Sequence, residues 1–159
     1  KGPVELVVGA VRTAGSYRTP TMEIRNLVTL AGFMGQTLLQ PPSVEGWHTG
    51  KEWIDGGTLT ERVNYAINTL NDPEKPGVRA IVDRIRSGDD ATSPAQFVDS
   101  LLDLVGPLEL ESETRDTLLA HAEKDGPLEW GSDEAASAST ERVVQLLTLV
   151  VSAREYQFN

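Results

Sequence analysis

The stretch Val143-Val-Gln-Leu-Leu-Thr-Leu-Val-Val-Ser-Ala153 is apolar except at Gln145, Thr148 and Ser152. Helical periodicity over such a run puts apolar side chains on several sides, the signature of a helix packed inside a core. The pattern predicts a last helix that starts within 132–140 and runs to about Gln157, with Leu147 in the core. No segment of the chain alternates with period two for long enough to suggest a sheet, and no solenoid-length repeat is present. The expected fold is therefore all-α: an irregular bundle of six or seven helices packed around this one.

The other helices are marked by their punctuation. Pro3 and Glu5 suit a first turn, and the apolar face Leu6, Val7, Ala10, Val11 and Ala14 runs to Gly15. Thr19-Pro20 opens a second predicted helix, over about 20–39, apolar most of the way round and so expected to be buried. Gly32 and Gly35 inside it each cost ~1 kcal/mol against alanine, which suggests close approach by another segment. Thr58-Leu-Thr-Glu61 reads as a capping box before a helix that stops ahead of Asp72-Pro73. Pro76 opens a shorter helix ended by Gly88, and Ser93-Pro-Ala-Gln96 caps one that Gly106-Pro107 ends. A sixth runs from Ser112 to Lys124. Gly88–Thr92 and Gly131–Ser139 are small and polar, the places expected to move most.

With 159 residues the chain reads as a single helical domain, 1–159, large enough to bury a core without disulfides, and it has no cysteine. The net charge is −10, most of it in the second part. Residues 1–72 carry six Lys/Arg against seven Asp/Glu, and residues 73–159 carry eight against seventeen. An acidic surface repels phosphate backbones, so nucleic acid is not an expected partner. No apolar run reaches the ~18 residues needed to span a bilayer.

One segment resists assignment to any helix: Gln40-Pro-Pro-Ser-Val-Glu-Gly-Trp-His-Thr-Gly-Lys-Glu-Trp-Ile54. Two prolines and two glycines rule out regular structure, yet Val44, Trp47, Trp53 and Ile54 are costly to leave in water. An irregular loop over 40–57, pinned on the core, is expected, and such loops often carry function. Candidate ligand-binding residues are Trp47, His48 and Trp53 with the acids Glu45, Glu52 and Asp55. Indoles stack on sugar rings or take in an apolar partner side chain, but they also plug gaps between helices. Glu45, His48, Glu52 and Asp55 are spaced for one face only on a helix, which Gly46 and Gly50 oppose, so no metal site is assigned. Arg62 and Asn64 are expected to anchor the loop, with Arg62 bonding loop carbonyls, Glu45 or Asp55. His121, the other histidine, reads as a surface residue. Phosphate-binding glycine loops, dinucleotide fingerprints, metal-spaced histidine pairs and nucleophile elbows are missing, and no cofactor is implied.

Several of these segments resemble one family. Lys1-Gly-Pro-Val-Glu-Leu-Val-Val8 is similar to its opening, followed by Met34-Gly35-Gln36, Pro41-Pro42-x-x-x-Gly46-Trp47, Trp53-Ile54 and Leu59-x-x-Arg62-x-Asn64. Ser152-Ala-Arg-Glu-Tyr-Gln157 resembles its usual ending. The family is a set of large, mostly bacterial proteins known as domain of unknown function 1800. The motifs cover residues 1–66 and the end of the chain; residues 73–139 carry none. The resemblance implies the C-terminal part of a longer protein whose relatives are commonly exported or envelope-associated, and it brings no catalytic residues with it. Two functional expectations stand: a non-catalytic scaffold or interaction module that docks the rest of a longer chain or a protein partner, and a polysaccharide-binding or hydrolytic role centred on the tryptophan loop.

Overall fold

The computed structural model describes residues 1–88 and 93–158, so the polar stretch 89–92 singled out above lies outside the described residues. Eight α-helices occur among the described residues, and no strand; Ser43 and Gly46 form one isolated bridge. The fold is all-α. Helix α1 (Pro3–Ala14) starts at its proline, with the Glu5 carboxylate accepting from Gly2 N at 2.6 Å, and closes on Gly15 in the left-handed region at φ 68°. Then come α2 (Arg25–Phe33), α3 (Gly56–Leu70), α4 (Pro76–Arg86), α5 (Pro94–Val105), α6 (Ser112–Glu123), α7 (Asp133–Ser152) and α8 (Arg154–Phe158).

Helix α7 lies in the core as its sequence requires: Val143, Leu146, Leu147, Val150 and Val151 are fully buried. It packs against α3, α4, α5 and α6, while α1 packs on α3, α4 and α2. The α3 side chains that face inward recur four residues apart, at Arg62, Ala66 and Leu70. Where α1 passes α4 the backbones nearly touch, and Gly77 abuts Thr13 O, Ala14 and Gly15 with no room for a Cβ. No such approach occurs at Gly32 or Gly35, where the sequence led one to expect a neighbouring segment. A Cβ at Gly32 would meet only Thr37 Oγ1, at 3.8 Å, and one at Gly35 nothing within 4 Å.

Four other expectations are corrected. The helix predicted over 20–39 is a 3₁₀ turn at Met22–Ile24 followed by α2, which ends at Phe33. Gly35 at φ 98° and the bond from Gln36 N to Ala31 O, 2.9 Å, turn the chain away there. That helix is not buried all round, because it packs mainly on α1: Ala31 and Met34 are inside, and Ile24, Val28 and Phe33 are exposed. Thr58 is not the first cap of α3 but the third residue of its first turn. Asp55 is the cap; its Oδ1 accepts from Thr58 N at 2.8 Å and its N donates to Thr58 Oγ1 at 2.9 Å. Residues 133–139 of the small, polar stretch lie in α7, and buried Ser139 is bonded both ways to the backbone of Glu129, accepting from N at 2.9 Å and donating to O at 2.7 Å. The last helix breaks at Ala153, whose ψ of 147° is extended, before α8.

Candidate functional site

The segment from Met34 to Asp55 is held at its two ends and free between them. At the start, Met34 is buried and Gln36 Oε1 accepts from Val4 N at 3.0 Å, fixing the exit of α2 to the first turn of α1. At the end, Thr49 and Glu52 cap a 3₁₀ turn over Gly50–Trp53, Glu52 Oε2 accepting from Thr49 N at 3.0 Å. Trp53 is 7% exposed, and its carbonyl accepts from Thr58 Oγ1 at 3.0 Å, which joins the turn to α3. Its indole Nε1 lies beside Gly2, so this ring fills the gap under the start of α1.

The two tryptophans therefore differ. Trp53 is a core plug, whereas Trp47 is 36% exposed and Val44 stands free in solvent. Ile54 is half-buried. His48 meets the Trp53 ring edge-on at 5.7 Å between centroids, and its Nδ1 is 3.8 Å from Glu52 Oε2. Glu45, at the tight Ser43–Gly46 turn, is exposed. Among the described residues no group of three His, Cys, Asp or Glu comes together at metal-binding geometry. Asp55 turns to α3, where the bonds from Thr58, its backbone amide above all, hold the carboxyl below its ordinary pKa.

Arg62 does not anchor the loop. It is fully buried, and Nη2 donates to the carbonyls of Lys1 at 2.9 Å and Gln157 at 2.6 Å. It ties the first residue and the last helix to α3, because α3 presents position 62 to the core and not to residues 40–54. Around it, Gln157 Nε2 donates to Val151 O at 2.7 Å and the Lys1 ammonium lies 3.9 Å from the Tyr156 ring centre. Among the described residues no acceptor meets Arg62 Nε or Nη1, and burial pulls its pKa down. Asn64 is exposed on α3.

What the loop region offers most plainly is uncovered apolar surface. Met22, Phe33 (67% exposed), Leu39 (91%) and Val44 stand in water within one stretch of chain. Leu39 also has φ 64°, a region that costs a branched side chain about 1 kcal/mol or more and is seldom kept without a reason. Sequence reasoning marked this stretch as apolar and missed that it is open. The only signal was the excess of large apolar residues over what one short helix can bury.

The architecture is that of an all-α protein, in which no described helix is long and apolar enough to cross a membrane. The chain belongs to the family described as "Protein of unknown function (DUF1800)", which matches residues 1–158. No curated protein and no solved structure matches it.

Proposed function

We propose that this chain is a non-catalytic helical interaction module, holding other parts of a longer, exported or envelope-associated bacterial protein, or a protein partner, through the surface around α2. The observation that carries the reading is that Phe33, Leu39 and Val44 stand exposed while the α7 core is closed. Large exposed apolar patches mark interaction sites, and these side chains fall between positions 33 and 44 of the chain. The test is the triple variant Phe33→Ser, Leu39→Ser, Val44→Ser, with urea unfolding beside titration with the apolar dye bis-ANS. A docking surface predicts dye binding by the parent that the variant loses, with unfolding free energies within about 0.5 kcal/mol of each other. A loss of several kcal/mol in the variant, or no dye binding by the parent, would contradict the reading.

A second reading, carbohydrate bound at the tryptophan loop, is favoured by the partly open Trp47 beside exposed His48, Glu45 and Glu52. Oligosaccharides titrated against tryptophan fluorescence test it. A saturable change that Trp47→Phe abolishes supports it, and no change in the parent removes it.

A further inference from the structure

Beside the segment 16–21 lies a hollow of about 520 Å³, enclosed by that segment together with parts of α1, α2 and α3. Its size is that of a site for a small molecule. Phe33, Leu39 and Val44 do not line it, so it is separate from the docking surface described above and does not depend on that reading.

The walls are of two kinds. Val11, Leu27, Leu30 and the Tyr65 ring make an apolar side. Tyr65 is half-buried, and its hydroxyl donates to Val7 O at 3.3 Å, which fixes the ring in the wall. Arg18 and Lys75 also line the hollow, and the packing of α1 on α4 brings them near each other. Arg18 Nη2 lies 3.4 Å from where a Cβ on Gly15 would stand, and Gly77, two positions after Lys75, abuts the same spot.

Neither cation is neutralised. Among the described residues no carboxylate comes within ion-pair distance of Arg18 or Lys75. Lys75 Nζ uses one of its donors on Thr69 O, at 2.8 Å, and keeps the others. Glu23 lines the hollow as well, unpaired with either cation. The lining therefore carries more positive than negative charge on a chain whose net charge is −10. Helix α4 begins beside Lys75, and its dipole there has the same sign as the cations.

These walls select their ligand. A purely apolar molecule would strip water from the guanidinium and ammonium without pairing them. An inorganic anion would pair them and leave the apolar side in water. An anionic group on a short apolar body meets both. We propose that this hollow binds a small organic acid, its carboxylate or phosphate against Arg18 and Lys75 and its apolar body against Leu27, Leu30 and Tyr65.

The test is to titrate the nitrogen-labelled protein with phenylpropionate, phenyl phosphate, phenylpropanamide and inorganic phosphate, following amide chemical shifts at about 50 mM salt. The two organic anions should bind saturably, moving amides within 16–30 and at Tyr65, Thr69 and Lys75. Each should bind about fivefold tighter than the amide or inorganic phosphate, and the tighter of the two identifies the head group. Arg18→Gln, an exposed change, should weaken both organic anions about threefold and leave the amide unaffected. Glu23→Gln should strengthen both. Equal affinity for the amide and the organic anions would overturn the proposal, as would inorganic phosphate binding as tightly as they do. Shifts centred elsewhere, no saturable binding, or no response to Arg18→Gln would overturn it as well.

Discussion

Arg62 shows how a side chain's type can be legible while its partners are not. Its guanidinium needs acceptors wherever it is buried, and the nearby loop offered several candidates in the sequence. The acceptors it finds are the carbonyls of Lys1 and Gln157, 61 and 95 positions away in the chain. Nothing local encodes that meeting; it follows from α3 lying between α1 and α7. Arg62→Ala should therefore cost about 2–5 kcal/mol, the range for emptying a large buried side chain. Amide exchange should rise in the first turn of α1 and in α8, with residues 40–54 little changed. Faster exchange confined to the loop would restore the sequence-based expectation. Arg62→Lys should rescue poorly, since an ammonium cannot reproduce the planar fork.

Asp55 makes a pH prediction at the same scale. Its folded pKa lies below the ordinary value of 3.8 because Thr58 bonds the ionised form. A depressed carboxyl contributes stability that is complete above the unfolded pKa and is lost as pH falls through the folded one. Wild type should thus lose stability as pH drops below about 3.8. Asp55→Asn should show a smaller loss over that window and be the less stable of the two at neutral pH, as read from melting curves. Parallel pH curves for the two proteins would show that the cap's charge contributes nothing.

At the level of elements, Pro3, Pro76, Pro94 and the Ser93 cap were good guides, whereas Thr19-Pro20, the Thr58 box and the interior glycines were not. Pro3, Pro76 and Pro94 each begin a helix, and the Ser93 hydroxyl accepts from Gln96 N at 3.3 Å as the capping box requires. These signals are local, so a single sequence carries them. The α1–α4 crossing is not local. It depends on Gly15 and Gly77, 62 positions apart, and neither stands out from the other glycines in a sequence. Gly77→Ala places a methyl against the α1 backbone, which cannot yield as a flexible side chain would. The loss should be about 1–3 kcal/mol or more, as for overpacking, seen in urea unfolding. Alanine at Gly131, where a Cβ meets nothing within 4 Å, is the control. Equal stability of the two variants would mean that the crossing is looser than described. The end of α2 was misplaced because Gly35 read as an interior residue, whereas it is the left-handed exit from the helix.

For the whole molecule, the all-α class was legible because one long apolar helix and several helix starts and stops agree with each other. The open surface was not, since hydrophobicity alone cannot say whether a partner from the same domain will cover a residue. The helix expected to be buried on most sides instead packs mainly on α1 and leaves apolar side chains in solvent. Local stability should follow that difference in packing: α7 is enclosed by four helices and α2 leans mainly on one. The most direct test is residue-resolved hydrogen exchange of α2 and α7. Helix α2 is expected to exchange through cheap local opening while α7 exchanges only on global unfolding. If α2 is instead as protected as α7, the surface around it is part of the closed fold and not a place where anything docks.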